Sequence, residues 1–354
     1  MVAFSFTLQA TAAALGLSSV IVALPTISRA AASDTITANN WGREWEFNFD
    51  PKAAIRRAGM PKGRVKTIEI PLNDDHHHTA PSEEMITAPP LKAARSVNTS
   101  ALYARSVNGV RNFDIVHPYD RIGRVEWGNG VYCTGSLVGS NLVLTARHCI
   151  PDNMDPVSFV PFAETEIDSS VAYWSTSYAL PKATNNTNCE NVDDWAIIRL
   201  ADRIGDALGF FGASPVDPRL RDDPRLAVCG YPGSIDGGRN LYCHRGVSFH
   251  KYDARCERPG LTVTGPEQRP GLHADAALAG GESGSALWFQ QARGGGGGGG
   301  EAEEDEDEGL AEYVMGVASV VYGVGQGEEK ETVSIFAGSL GMVNAIIGER
   351  ERDD

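Results

Sequence analysis

From Asp114 onward, short apolar runs alternate with turn signals, and this punctuation confines the chain to a β architecture. In GRVEWGNGVYCTGSLVGSNLVLTARHC, residues 123–149, runs rich in Val, Leu, Tyr and Trp are broken first by the Asn129 and Gly130 pair and then by Gly139 to Asn141. Many short strands at this spacing build an antiparallel barrel or sandwich. Helical periodicity is scarce except at the end, where GMVNAIIGERERDD predicts a short C-terminal helix. At 354 residues and 42% apolar content, the chain can bury one sizeable core or two coupled ones.

The segments outside the β pattern differ in kind. Residues 1–30 read as a signal peptide: an apolar stretch from Ala12 to Leu24, broken by Pro25, leads to a small-residue exit in which Ser28 and Ala30 suit signal peptidase. The run is too short for a membrane anchor, and no later segment reaches spanning length. Residues 31–105 carry scattered charge, several prolines and the run DDHHHTAP, with little sustained alternation, and read as a pro-segment. Two near copies, AARSVN and YARSVN, offer processing sites after Arg95 or Arg105; an uncleaved disordered arm is the alternative. Residues 293–309 hold seven glycines followed by EAEEDEDE, which neither buries apolar surface nor prefers a fold, so they read as an insertion between two strands.

Six cysteines, an even set, fit a secreted, extracellular protein, and Asn98 and Asn185 each begin a glycosylation sequon. Fifteen pairings of six cysteines are open; Cys229 with Cys243 and Cys189 with Cys256 is one way to pair four of them. Residues 106–354 hold 20 Lys and Arg against 37 Asp and Glu, a formal charge of −17. That balance excludes nucleic acid as a natural partner. No cofactor or metal is expected, because three adjacent histidines, His76 to His78, do not readily face one ion. A monomer is the expected state.

The chemistry starts at GGESGSALW, residues 280–288, which sets Ser283 between glycines just ahead of an apolar run. Such a tetrad also arises by chance in Gly-rich loops, and a serine hydroxyl is a weak nucleophile without a base and a carboxylate that orients the base. TARHC places His148 at the end of an apolar strand, where an ordinary half-buried histidine would also fit. VDDWAIIRL places Asp194 at the start of another strand, pointing inward, with Asp193 facing solvent, although an acidic turn has the same appearance. The order His, Asp, Ser is one of the few that converge on acyl transfer.

These segments resemble the trypsin-like motifs TAAHC, DIALL and GDSGGP, with Arg147 in place of an alanine, Trp195 of an isoleucine, and SGSAL in place of SGGPL. The closer resemblance is to the V8-like, glutamyl-endopeptidase-like branch. HPYDRIGRVEW, CTGSLVGSNLVLTARHC, DWAIIRLADRIGDALGFFG, CGYPG and GGESGSALWFQ match five of its blocks in order, from about His117 to Phe289. The resemblance implies a chymotrypsin-like fold of two Greek-key antiparallel β-barrels, here 106–220 carrying the His and Asp and 221–354 carrying the Ser. It implies His148 as general base then acid, Asp194 as its orienter, Ser283 as nucleophile, and the N–H groups of Gly281 and Ser283 as the oxyanion hole. It also pairs Cys133 with Cys149 and implies protein or peptide substrates; a catalytically silent relative that binds peptide in the same cleft is the alternative.

Two departures bear on specificity and activation. Glutamate-cleaving members carry a histidine on the strand after the serine and a hydroxyl residue five positions before it. In this chain GVASVVYG puts Ala318 at the histidine position, beside Ser319, and Leu278 stands at the hydroxyl position. Ala277 occupies the place of the aspartate found in enzymes that cleave after basic residues. These substrate-binding positions predict an apolar pocket, which Glu312 would alter if the strand alignment were shifted. Trypsin-like zymogens bury a new N-terminus against an aspartate just before the serine; here Glu282 holds that place and no IVGG precedes the first barrel.

Overall fold

The computed structural model describes residues 48–49, 63–71, 118–163, 172–182, 189, 191–235, 237–252, 271–292, 310–324 and 331–352. The signal peptide, the processing repeats, both sequons, the histidine run, Cys256 and the glycine and acid tract lie outside them.

Sixteen described strands form two eight-stranded sheets. The first holds β1 (Asn48–Phe49), β2 (Lys66–Ile70), β3 (Ile122–Glu126), β4 (Val131–Leu137), β5 (Leu142–Thr145), β6 (Ser158–Pro161), β7 (Tyr173–Pro181) and β8 (Ala196–Leu200). Its order β4-β3-β6-β7-β8-β5 closes on itself, because β5 also pairs with β4 through Ser136 with Leu144 and Leu137 with Val143. Closure removes the edges that would otherwise invite another chain. Inside it Val125, Leu137, Val143, Phe159, Tyr178 and Ile198 are buried together.

The second sheet holds β9 (Gly212–Ala213), β10 (Leu226–Gly230), β11 (Tyr242–Val247), β12 (Phe249–Tyr252), β13 (Leu272–Ala274), β14 (Ala286–Ala292), β15 (Leu310–Val324) and β16 (Glu331–Ala337). Its order β11-β10-β14-β15-β16-β13-β12 begins and ends on strands that only Ser248 separates in sequence, so the sheet curls round a core of Leu226, Val228, Phe249, Leu287, Met315 and Phe336. A third cluster joins the two barrels through Tyr132, Trp195, Phe211, Trp288 and Val314. The expected all-β, two-barrel fold is the observed one.

Helix α1 (Gly205–Leu208) lies in the inter-barrel connection, and α2 (Leu340–Glu351) is the expected C-terminal helix. The Ser339 side chain caps α2 by accepting from the Met342 N–H. Met342, Val343 and Ile346 sink into the shared cluster, while Arg199 donates to the Glu349 carboxylate at 2.8 Å and Arg350 donates to the Val138 and Phe211 carbonyls at 2.6 and 2.8 Å. The last element of the chain is thereby stitched to the first barrel.

Two strands have no counterpart in the sequence reading. β2 lies within the segment read as a pro-segment, yet it runs parallel to β7 from Lys66–Ser177 to Ile70–Pro181. Ile68 and Ile70 pack on the core, and the strand covers backbone groups of β7 that would otherwise face water. The second sheet also begins before residue 221, because Gly212 and Ala213 pair with Tyr313 and Val314. Two-residue strands carry no alternation, so this switch of sheet has no sequence signal.

Candidate active site

His148 sits in a single 3-10 turn, Arg147–Cys149, immediately after β5. Its ring Nδ1 lies 2.7 Å from Asp194 Oδ2, and its backbone N–H donates to Asp194 Oδ1 at 3.0 Å. The Ser319 hydroxyl donates to the same Asp194 Oδ2 at 2.7 Å. The Asp194 side chain is 9% exposed and that of His148 is 16% exposed, so the pair is largely dry while the imidazole keeps one edge within reach of the surface. A carboxylate that accepts from Nδ1 leaves Nε2 as the basic nitrogen. Asp193 is buried too, which corrects the expectation that it faces solvent: its N–H donates to the Cys189 carbonyl at 3.0 Å, and this tight turn tucks both carboxylates inward.

Ser283 enters from the second barrel. Its carbonyl accepts from the Thr134 N–H of β4 at 2.8 Å, and the Thr145 hydroxyl at the end of β5 donates to the Thr134 carbonyl at 2.7 Å. On the other side Gly284 N–H donates to Ala318 O and Ala318 N–H donates to Ser285 O, both at 2.8 Å. The serine loop is therefore clamped between the strand end that leads to His148 and the residue beside Ser319. Gly284 has φ +82°, and a Cβ there would stand 2.2 Å from Thr145 Oγ1 and 2.4 Å from Thr134 O. Only glycine permits this approach of the two barrels. Gly281 also has positive φ, +93°, and its carbonyl accepts from the Thr134 hydroxyl at 2.9 Å. That bond fixes the peptide plane following Gly281.

Residues 133–294, which include Thr134, His148, Asp194 and Ser283, match the family described as trypsin-like peptidase domain. The match covers less than half of the chain. Glutamyl endopeptidase of Bacillus licheniformis is 33% identical over 133 residues, covering 34% of this chain and 39% of that protein. Coagulation factor XII of Cavia porcellus is 22% identical over 246 residues, covering 65% of this chain and 38% of that protein. The chain thus spans less than half the length of these two curated relatives. Among solved structures, a Glu endopeptidase in complex with MPD matches with TM-score 0.46 and 19% identity over 66% of this chain and 91% of that one.

Within the matched residues Cys133 pairs with Cys149 and Cys229 with Cys243, and Cys189 is disulfide-bonded as well. Cys133–Cys149 spans 16 residues and pins the turn that carries His148 to β4. Constraint of a loop this long is worth about 3 kcal/mol. The Cys133→Ser/Cys149→Ser double variant is expected to lose about that much in denaturant unfolding, and a loss below ~0.5 kcal/mol would contradict the assignment. His148 and these two sulfurs lie close enough to share an ion, but a disulfide offers no thiolate to a metal.

The residues expected to line the pocket divide. Leu278 and Ala318 are buried, at 7% and 3% exposed, whereas Ala277 is exposed. Ser319, expected to touch substrate, turns its hydroxyl to Asp194 instead. Glu312 is committed elsewhere: Arg121 Nη1 lies 3.2 Å from it, and Gln290 donates to it at 3.4 Å. It therefore adds no charge beside Ala318, and the alignment of Ala318 with the serine loop stands on two backbone bonds. Sequence reasoning missed Thr134, whose hydroxyl ties β4 to Gly281 of the serine loop, and Thr145, whose hydroxyl ties β5 to β4, since two threonines in β strands are ordinary by pattern. Among the described residues no helix is long and apolar enough to cross a membrane.

Proposed function

We propose that this chain is a secreted serine endopeptidase that cleaves peptide bonds through an acyl-enzyme. The Asp194 carboxylate, receiving both the ring and the backbone of His148 beside the serine loop, is the observation that carries the reading. In the reaction the His148 imidazole takes the Ser283 proton as the hydroxyl attacks the scissile carbonyl. Asp194 steadies the imidazolium, and the N–H groups of Gly281 and Ser283 receive the oxygen as it becomes an oxyanion. The imidazolium then protonates the leaving amine, and a water molecule repeats the sequence to release the acid. Residues 1–30 serve as signal peptide and residues 31–105 as a pro-segment removed on maturation; disulfides suit the same oxidising route.

A fluorophosphonate probe tests this directly. The processed protein is expected to take one adduct, on Ser283, located by peptide mass spectrometry. Folded and processed protein that takes none would leave the domain as a silent relative that binds peptide.

The primary pocket is apolar in this reading, because Leu278 and Ala318 are buried where other members place polar groups and a charged side chain there would lack a partner. Cleavage of a mixed peptide library is expected to favour Leu, Phe or Tyr before the scissile bond over Glu, Lys or Arg by ~10²-fold or more. Equal cleavage after Glu would overturn the pocket assignment.

A further inference from the structure

Glu282 separates the two residues whose N–H groups would hold the oxyanion, and its side chain is 1% exposed. Its Oε2 accepts from the Ala279 N–H at 2.8 Å, while its own N–H donates to the Ala279 carbonyl at 3.1 Å. The carboxylate thus ties residues 279–282 into one turn. A Cβ built on Gly230 of β10 would lie 3.0 Å from Glu282 Cγ, so that strand walls the side chain in. Its other oxygen, Oε1, faces His244 Nε2 at 3.3 Å. His244 lies on β11, opposite Val228 of β10, with a third of its side chain exposed. Solvent therefore reaches the imidazole and does not reach the carboxylate.

We propose that His244, as imidazolium, is a positioning residue that holds Glu282 and through it the Gly281–Ser283 backbone, so that its deprotonation switches the oxyanion site off. This rests on the protease reading above. A buried carboxylate is tolerated where a cation or several donors answer it. Among the described residues His244 is the cation in ion-pair contact with Glu282. Without that charge the Glu282 carboxylate swings toward water. The movement frees the turn, and glycine at 281 makes rotation of the peptide that precedes it inexpensive, while the Thr134 hydroxyl holds the one that follows. The place that a new N-terminus takes in trypsin-like zymogens is filled from within, and no α-amino group is required beside Glu282.

Among the described residues, β10 and β4 lie beside the pair. β10 contributes no titratable side chain, and β4 contributes Thr134, whose hydroxyl is spent on Gly281 O. On β11 itself Arg245 lies over the Tyr119 ring, 5.5 Å from its centroid, Tyr242 begins the strand, and Arg239 precedes it. Hydrogen bonding to Glu282 raises the His244 pKa above the ordinary histidine value, against the opposing pull of burial. A raised folded-state value means that the ion pair is fully present at lower pH and is lost as pH rises through that value.

The test measures fluorophosphonate labelling of Ser283 from about pH 6 to about pH 10, beside an NMR titration of the His244 ring. Wild-type labelling is expected to fall ~10-fold or more across the His244 titration. His244→Arg, a permanent cation, should hold its rate across that range. His244→Gln should label slowly at every pH, by ~10²-fold, the order of losing one oxyanion donor. Glu282→Gln should shift the His244 titration to lower pH, a readout that needs no activity. Thermal unfolding separates a misplaced loop from a lost fold. Wild type and His244→Gln sharing one pH profile, or a His244 titration indifferent to Glu282→Gln, would overturn the proposal. Folded wild type that never labels removes the protease reading itself.

Discussion

Ser283→Ala is expected to lower peptide hydrolysis by about 10⁶-fold, the order seen when a triad serine is removed, while the fold persists. The side chain is half-buried and its backbone, which the variant keeps, makes the inter-barrel bond to the Thr134 N–H. The structural cost is therefore one half-buried hydroxyl, whereas in the proposed mechanism the chemical cost is the loss of the atom that forms the acyl bond. The measurement pairs kcat/KM on a peptide substrate with thermal unfolding. His148→Ala added to Ser283→Ala should cost little more, because the two groups act as one unit and their effects do not sum. Residual hydrolysis within ~100-fold of wild type would remove Ser283 from the reaction.

The second large effect is expected at Asp194→Asn, a loss of about 10⁴-fold in kcat, equivalent to about 5 kcal/mol of transition-state stabilisation. Three donors converge on this carboxylate: the His148 ring, the His148 backbone N–H and the Ser319 hydroxyl. A carboxylate accepts from all three. An amide has one acceptor oxygen, and its NH2 would oppose a donor, which pushes the His148 proton to Nε2 and turns the base into a donor toward Ser283. KM should change little, since no substrate contact is removed. A loss under ~10-fold would mean that Asp194 does not set the tautomer. Ser319→Ala should fall between, because it removes one donor of the three and leaves the tautomer to the remaining geometry.

Much of this protein was legible in residue order. Short β runs separated by Asn129–Gly130 and by Gly139–Asn141 became β3, β4 and β5, with the turns where they were expected. His148 and Asp194 were placed at the end of one strand and the start of another, and their pairing follows because β5 and β8 lie side by side, with Thr145 opposite Ala196. Asp193 was misread because the approach to β8 was taken as extended, and a turn closed by Cys189 cannot be inferred from VDDW alone. β2 was missed because its alternation is short and one of its faces is open to water.

Sequence by itself determined the class of elements, the residue types that meet at the candidate site and the apolar character of Leu278 and Ala318, because periodicity, turn residues and side-chain type are local properties. Only the tertiary structure decided which hydroxyl meets Asp194, which strand caps β7 and which cation meets Glu282. Ser319 and Asp194 are 125 residues apart and stand on different barrels. His244 and Glu282 come together because β10 lays β11 against the serine loop. Such contacts depend on how two closed sheets are docked, and docking is set by the whole buried surface, from Trp195 to Trp288, rather than by any stretch of neighbouring residues.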